Sequence, residues 1–267
     1  MDLQLTGKRA IVTGGSRGIG KAVAWALARE GVHVVLAARG EEALRAAATE
    51  IAEDTGRTIV PVPTDTTDDA GVKHLVAEAV RTLGGVDILV NCAAQVGGVG
   101  PIPRLPDITN ENFFPDMDVK VLGYIRTCRE VAPHMIAQHW GRIINISGLA
   151  ARNAGGSMVG SIRNASVTAL TKNIADELGP HGINVTVVHP GTTRTEVTSA
   201  AWAARAAAEG KTVEDVERAL ADGNSIKHLL TADDIANVVT FLASPLSIAI
   251  NGDTIAAGGG TPRAIYY

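Results

Sequence analysis

Short runs of β-branched and aliphatic residues alternate with longer amphipathic segments along almost the whole chain. The runs predict strands over 9–14, 32–38, 58–64, 86–91, 142–147, 183–189 and 253–257. The segments predict helices over 19–30, 40–54, 69–83, 111–138, 158–178 and 231–243. Most of the strand runs are nearly continuous in apolar residues, which is typical of parallel strands covered on both faces. This alternation predicts βαβ units, and therefore an α/β fold with a doubly wound parallel sheet.

The stretch 192–230 interrupts the alternation. It is rich in alanine, helical over 199–208 and 213–221, and without a predicted strand. The chain contains no internal repeat, linker or low-complexity tract. We therefore expect residues 1–267 to form one domain, in which 192–230 is a helical lid over the substrate site.

Composition excludes several classes of protein. Hydrophobic residues make up 46% of the chain and charged residues 19%, too apolar for a disordered protein. The net charge of −4 and the lack of a basic run argue against nucleic acid as a partner. Cys92 and Cys128 match neither a zinc site nor a disulfide framework, so no metal is expected. With no apolar stretch of about 18 residues and no leader-like start, we expect no membrane association and a cytoplasmic location.

A glycine-rich turn joins the first predicted strand to the first helix. Its spacing is Gly14-x-x-x-Gly18-x-Gly20, with Thr13 at the end of the strand. Glycines at this point permit a tight turn and let backbone N–H groups at the helix N-terminus approach a pyrophosphate. Such a turn can also serve only to pack a helix on a strand, but its place at the start of a βαβ unit favours a dinucleotide site.

This turn resembles that of the short-chain dehydrogenase/reductase family. Further landmarks resemble the family in the same order: Asp65, 91–94, 190–195, 233–236, 241–244, 251–252 and 258–260. The resemblance covers nearly all of residues 4–262. It implies a single Rossmann-type domain, a nicotinamide dinucleotide cofactor and oxidoreductase activity on a small molecule.

The resemblance also implies where the cofactor binds. Asp65 matches the residue that contacts the adenine ring, 91–94 supports the sheet beside the cofactor, and 190–195 lies beside the nicotinamide. The residues expected at the cofactor are Gly14, Ser16, Arg17, Gly18, Ile19, Gly20, Arg39, Asp65, Thr66, Asn91, Ala93, Asn164, Pro190, Gly191, Thr193 and Thr195.

Charge at the end of the second strand favours NADP(H) over NAD(H). NAD-binding proteins generally place an acidic residue there to accept from the ribose 2′-hydroxyl. This chain has Ala38 at that position, followed by Arg39, and Arg17 lies in the glycine-rich turn. Two guanidinium groups there could hold a 2′-phosphate, and the alternative is that Arg39 is a solvated charge beside a helix.

The family's four catalytic positions are all substituted. Aligned through the helix after the fifth strand, the Tyr-x-x-x-Lys pair falls on Gly160 and Asn164. The family's serine falls on Gly148, or on Ser147 if the following loop has no deletion. The asparagine that holds a relay water falls on Lys120.

Lys120 is the strongest candidate to replace the lost chemistry. A partly desolvated lysine can have a lowered pKa and act as acid, base or amine nucleophile. The alternatives are that its ammonium pairs with Asp116 or Asp118, or only fills the space of the relay water. Ser147 could bind substrate or cap its loop.

Other polar groups near these positions have both structural and functional interpretations. Arg163 and Asn164 could polarise a carbonyl, and Asn164 could keep a hydrogen bond to the ribose. His189 is expected to be structural, and 152–153 could bind a polar or anionic substrate. No tyrosine occurs between Tyr124 and the C-terminal pair at 266–267, so a displaced tyrosine acid would have to come from the tail.

Three functions remain open at this stage. The first is an NADP(H)-dependent oxidoreductase with an altered proton donor, acting on a carbonyl, C=C or C=N bond. The second is a non-redox lyase or aldolase that uses Lys120. The third is a catalytically silent NADP(H)-binding protein.

We also expect a homo-oligomer, a tetramer or a dimer. The family resemblance implies it, and the segments 111–138 and 158–178 carry long apolar runs for surface helices.

Overall fold

A computed structural model describes residues 1–95, 102–154 and 157–262. Its strands are β1 (Arg9–Thr13), β2 (His33–Ala38), β3 (Ile59–Pro63), β4 (Ile88–Asn91), β5 (Gly141–Ile146), β6 (Ile183–Pro190), β7 (Thr193–Arg194), β8 (Leu230–Thr231) and β9 (Thr254–Ala257). Its α-helices are α1 (Gly18–Arg29), α2 (Glu41–Thr55), α3 (Asp69–Leu83), α4 (Asn110–Met117), α5 (Gly123–Ala137), α6 (Met158–Leu178), α7 (Glu196–Glu209), α8 (Val213–Ala221) and α9 (Ala232–Ala243).

Seven of these strands form one parallel sheet in the order β3-β2-β1-β4-β5-β6-β9. The strand order reverses at β1, which pairs with β2 on one side and with β4 on the other. In open α/β sheets, ligands bind in the crevice at the carboxyl ends of the strands at such a switch point. The doubly wound α/β fold predicted from the sequence is confirmed.

Two apolar layers cover the faces of the sheet. On one face α1, α2 and α9 pack on the strands, and Leu27, Val239 and Leu242 are almost fully buried there. On the other face α3, α5 and α6 contribute Leu75, Met135 and others to a second cluster. Burial on both faces explains why the strand sequences lack alternation.

The helix predicted over 111–138 is present as one helical path from Asn110 to Ala137, but it is not α-helical throughout. The structure divides it into α4, a π-helical turn over Asp118–Leu122, and α5. A π-turn accommodates one extra residue within a helical path, and so it leaves little trace in a hydrophobic period of 3.6. This turn holds Lys120, which is buried.

The segment 192–230 contains two predicted helices, but the expectation of no strand there is wrong. The two-residue strands β7 and β8 pair in parallel beside the main sheet. Helices α7 and α8 pack on each other through a small separate cluster of Trp202, Ala206, Val216 and Leu229. Its role as a lid stays a prediction.

Several apolar side chains remain exposed on α5 and α6, among them Ile125, Met158 and Ile162. They agree with the expected apolar surface, although the oligomeric state itself stays a prediction. In the part of the chain that the structure describes, no helix has both the length and the apolar character to cross a membrane.

We expect Gly182→Ala to destabilise the fold more than Gly56→Ala. Both glycines follow helices and have positive φ, +81° and +65°. A Cβ at residue 182 would overlap the carbonyl oxygen of His139, whereas one at residue 56 meets nothing within 4 Å. The left-handed conformation alone costs about 1–2 kcal/mol, and the clash adds to it at residue 182 only. Urea unfolding of both variants measures the difference, and equal losses would contradict this account.

Candidate active site

The carboxyl ends of β1, β4, β5 and β6 meet along one edge of the sheet, and the site residues predicted from the sequence follow them. At the centre, the glycine-rich turn comes into direct backbone contact with the residues after β4. A Cβ on Gly14 would lie 3.0 Å from the backbone of Cys92 and Ala93, and one on Gly20 would overlap the carbonyl oxygen of Gly14. The turn therefore requires glycine at both positions, and it directs the N-terminus of α1 into the crevice.

Thr13 fastens the turn to the end of β4. Its hydroxyl oxygen accepts hydrogen bonds from the backbone N–H groups of Cys92 (3.0 Å) and Ala93 (3.2 Å). The N–H of Ala93 is thus already engaged within the protein.

Asn91 supports the sheet. Its amide nitrogen donates to Asn145 Oδ1 at 3.0 Å, and its Oδ1 accepts from the hydroxyl of Thr127 at 2.7 Å. The residue is fully buried, so its side chain holds β4, β5 and α5 together and does not face the crevice. The predicted role in supporting the sheet agrees with this geometry.

The residues predicted to hold the adenosine half follow the ends of β1, β2 and β3. Arg39 and Arg17 are exposed to solvent. Asp65 accepts from the backbone N–H of Thr67 at 3.0 Å, and this bond, with a smaller contribution from Arg39, lowers the pKa of Asp65. Thr66 donates from its hydroxyl to the carbonyl of Val119 at 3.3 Å, which ties this end to the π-turn.

The segment after β6 approaches the glycine-rich turn. Gly191 packs against Gly258, where a Cβ would come within 2.7 Å of the neighbouring Cα, and Thr193 donates to the carbonyl of Gly191 at 2.9 Å. The hydroxyl of Thr195 caps α7 by accepting from the N–H of Thr198. The methyl group of Thr195 lies 3.6 Å from the Cβ position of Gly18.

One contact in this region was not predicted from the sequence. The backbone N–H of Gly18, at the N-terminus of α1, donates to Glu196 Oε2 at 3.0 Å. A carboxylate at a helix N-terminus occupies the place that suits a phosphate. The only sequence signal was an acidic residue in the first turn of α7, and nothing local connects it with a turn 178 residues earlier.

The ammonium of Lys120 lies at the end of β5. The residue is only 3% exposed, and its Nζ donates to the carbonyl oxygen of Ser147 at 3.1 Å. The suggested ion pairs with Asp116 and Asp118 are wrong, because Asp116 pairs with Arg163 at 2.7 Å and Asp118 pairs with Arg126 at 2.8 Å.

Burial, together with a smaller contribution from the positive charge of Arg163, lowers the pKa of Lys120 from its ordinary value of 10.5 to about 7. Cys92 and Asp116 raise the pKa of Lys120, but by less than burial lowers it. Burial also raises the pKa of the Cys92 thiol to about 11, so this thiol is neutral at pH 7. Lys120 can therefore exchange a proton near neutral pH.

Three other predicted catalytic residues surround Lys120. The hydroxyl of Ser147 donates to the carbonyl of Asn164 at 3.0 Å, so it is engaged within the protein. A Cβ on Gly148 would lie 2.9 Å from the amide nitrogen of Asn164. Asn164 is itself buried on α6. The structure thus brings Lys120, Ser147, Gly148 and Asn164 together.

Gly160 lies one turn before Asn164 on the same face of α6. A Cβ there would make ordinary contacts with Ser157, at 3.5 Å, and with Nη2 of Arg163, at 3.8 Å. The Arg163 side chain is not part of a solvated face, since the residue is only 9% exposed. Ser157 caps α6, because its hydroxyl oxygen accepts from the N–H of Gly160.

The tyrosines do not supply a replacement acid within the described residues. Tyr124 is buried, donates from its hydroxyl to the carbonyl of Ile146 at 2.9 Å, and has a pKa raised well above 10 by burial. Tyr266 and Tyr267 lie outside the described residues.

His189 is a structural residue. Its Nδ1 accepts from the backbone N–H of Gly148 at 3.3 Å, and its Nε2 lies 3.4 Å from the hydroxyl of Thr168. Burial, with the positive charges of Arg152 and Lys120, lowers the pKa of His189 to about 4, so the ring is neutral at pH 7.

The pair at 152–153 is tied to the C-terminal strand region, since Arg152 donates to the carbonyl of Thr254 and Asn153 contacts the hydroxyl of Thr261, each at 3.4 Å. The described part of the chain contains no group of three or more metal-ligating side chains.

The family model described as short chain dehydrogenase matches residues 8–206. The chain belongs to this family. It is accordingly an oxidoreductase of the short-chain dehydrogenase type. The Short-chain reductase protein NovJ from Streptomyces niveus is 33% identical over 253 residues, which cover 95% of this chain and 93% of that protein.

Two solved structures share the fold over almost their whole length. L-Sorbose reductase from Gluconobacter frateurii, complexed with NADPH and L-sorbose, has a TM-score of 0.94 and 27% identity, covering 99% of this chain and 100% of that one. An NAD⁺-bound xylitol dehydrogenase has a TM-score of 0.86 and 26% identity, covering 96% and 100%.

We expect the stability of the protein to depend on pH through Lys120. Between about pH 7 and 10.5 the unfolded chain holds a proton on this lysine that the folded protein has largely released. The free energy of unfolding of the wild type should therefore rise with pH in this window, by at most about 1.4 kcal/mol per pH unit, relative to Lys120→Met. Urea unfolding at pH 7, 8 and 9 measures the difference.

The matched control for this measurement is Lys172→Met, which removes an exposed lysine that pairs with Asp176. It should keep the pH dependence of the wild type. A wild type and a Lys120→Met variant whose stabilities change in parallel over this window would contradict the lowered pKa.

Proposed function

We propose that the protein is an NADP(H)-dependent reductase with an altered active site, in which Lys120 replaces the family's tyrosine as proton donor. The observation that carries this proposal is the buried ammonium of Lys120 at the end of β5, 3.1 Å from the carbonyl of Ser147. Its pKa of about 7 suits a group that gives up a proton at neutral pH and regains it. The proposed substrates contain an activated C=C, C=N or carbonyl bond.

The crevice fits a nicotinamide dinucleotide. The N–H groups at the start of α1 suit the pyrophosphate, and the turn at Gly14 and Gly20 leaves no side chain to keep a ligand away from them. Among the solved relatives, one contains NADPH and another NAD⁺, so likeness alone supports either cofactor. We favour NADP(H), because Ala38 ends β2 where an acidic residue would accept from a ribose hydroxyl. The next residue, Arg39, and Arg17 in the glycine-rich turn are both exposed, so their guanidinium groups are accessible to a 2′-phosphate.

When bound, the reduced nicotinamide would supply the hydride. In our proposal Lys120 gives a proton to the substrate atom next to the carbon that receives the hydride, becomes a neutral amine, and takes up a proton from solvent afterwards. Asn164, at the position of the family's lysine, offers an uncharged donor to the cofactor ribose. The family's tyrosine acid is replaced by Gly160, and its carbonyl-binding serine by Gly148.

We expect Arg39→Asp to weaken binding of NADPH far more than binding of NADH. A guanidinium beside a 2′-phosphate forms charge-assisted hydrogen bonds, and an aspartate there repels the phosphate. The two dissociation constants can be measured by fluorescence titration, with Arg81→Asp on α3 as an exposed control. Equal losses for both cofactors, or none, would count against the 2′-phosphate site.

We expect Glu196→Gln to tighten NADPH binding about threefold to tenfold. In the described geometry the carboxylate accepts from the N–H of Gly18, so it competes with a pyrophosphate and repels it. Glutamine keeps the size of the side chain and removes the charge.

Glu214→Gln is the control for this change, since Glu214 is exposed in the first turn of the neighbouring helix α8. It should leave the dissociation constant unchanged. Weaker NADPH binding by Glu196→Gln would show that the carboxylate assists the cofactor.

We expect ordinary ketones and β-ketoacyl thioesters to be reduced with kcat far below the enzyme median of about 10 s⁻¹. Loss of a tuned acid costs roughly 10²–10⁴ in rate, and loss of a donor to the carbonyl oxygen a further 10²–10³. Activated C=C and C=N compounds should be better substrates, and Lys120→Met should lower their kcat by about 10² or more. NADPH oxidation with a substrate panel measures this.

The triple variant Gly148→Ser, Gly160→Tyr and Asn164→Lys should raise ketone reduction. Replacing Asn164 also removes the amide nitrogen that a side chain at residue 148 would meet at 2.9 Å.

The substrate panel can also contradict the proposal. Fast ketone reduction by the wild type would contradict the proposal that the active site is altered. If Lys120→Met did not change the turnover of activated substrates, this lysine would be excluded as the proton donor. Tight NADPH binding with no turnover on the whole panel would favour a catalytically silent protein.

A further inference from the structure

The buried charges beside Lys120 do not balance. Lys120 and Arg163 carry positive charge, and Asp116 is the buried carboxylate that faces them. Three other titratable groups there, Cys92, Tyr124 and His189, are neutral at pH 7. Among the described residues, Lys120, Arg163 and Asp116 therefore carry a net charge of +1 when Lys120 is protonated, and the positive charge of Arg152 also acts on His189. Unbalanced charge is costly in a buried site unless a ligand compensates for it.

Arg163 presents one side of its guanidinium to Asp116 and the other toward Gly160. Nη1 donates to both carboxylate oxygens of Asp116, at 2.7 and 3.0 Å. Nε donates to Oδ1 of Asn164 at 3.4 Å. Nη2 lies 3.8 Å from the Cβ position of Gly160, and no hydrogen bond from it to another described residue is present.

We propose that Arg163 binds a carboxylate group of the substrate, in the space beside Gly160. This inference rests on the proposed function, since it adds the substrate class to the same site. A planar guanidinium with an available N–H edge suits a carboxylate, and Gly160 places no side chain next to that edge. The bound carboxylate would neutralise the cluster and favour the protonated form of Lys120, which is the form that donates.

The pair of Asp116 and Arg163 allows the two charges to be separated experimentally. Asp116→Asn removes the internal competitor and leaves the guanidinium in place, so it should strengthen carboxylate binding. The double variant Asp116→Asn with Arg163→Met removes both charges and leaves no unpaired carboxylate behind. The two variants differ only at Arg163, and a fold damaged by either change would not strengthen binding.

The test measures binding of benzoate, with benzamide as its uncharged analogue, to the complex of each protein with NADPH by calorimetry. We expect Asp116→Asn to bind benzoate at least threefold more tightly than the wild type, and the double variant at least tenfold more weakly than Asp116→Asn. The affinity for benzamide should not rise in Asp116→Asn, and it should not fall in the double variant. Arg218→Met on α8, whose side chain is 71% exposed, is the control and should match the wild type.

Three results would overturn the inference: no benzoate binding by the Asp116→Asn complex, equal benzoate affinity in Asp116→Asn and the double variant, or equal affinity for benzamide and benzoate. In each of these cases the NADPH binding measured in the same samples would be unaffected, so the proposed function would not be refuted. Failure of NADPH to bind the wild type is a different result, because it would refute the proposed reductase and remove this inference with it.

Discussion

The site depends on a contact between two stretches of backbone. The turn after β1 lies against the residues after β4, with Gly14 placed where any Cβ would come within 3.0 Å of the backbone of Cys92 and Ala93. Thr13 fixes the same contact through its hydroxyl. Because β1 is the strand at which the sheet order reverses, this contact sets the floor of the crevice and aims the start of α1 into it. The residues at the ends of β5 and β6 are placed relative to that floor.

Most of the sheet and helices follow from local pattern, because a strand buried on both faces and an amphipathic helix each leave a periodic signal. The features that escaped prediction lack such a signal. The π-turn over Asp118–Leu122 adds a residue to a helical path without changing the residue types, and the strands β7 and β8 are only two residues long. The conformations of both are fixed by packing with distant parts of the chain.

The candidate site likewise contains features that could be predicted from the sequence and features that could not. The glycine-rich turn could be located from its spacing, and the resemblance to the family predicted which residues would lie near Lys120. The partners of the charged groups could not, because they come from different elements: Asp116 on α4 meets Arg163 on α6, and Glu196 on α7 meets Gly18 on α1. Proximity of four residues along a helix suggested that Asp116 would pair with Lys120, but both carboxylate oxygens of Asp116 accept from Nη1 of Arg163 instead.

The π-turn has a consequence for how this protein tolerates insertions and deletions. Each residue in an α-helix advances the direction of the side chains by about 100°. A π-turn takes up one extra residue within a single turn, so loss of one residue within Asp118–Leu122 would restore a regular helix and leave the faces of α4 and α5 in register. Tyr124 and Thr127 would still hold α5 against the sheet, and Asp116 on α4 would still face Arg163. The same deletion within a regular α-helix would instead rotate the residues on one side of it by about 100°.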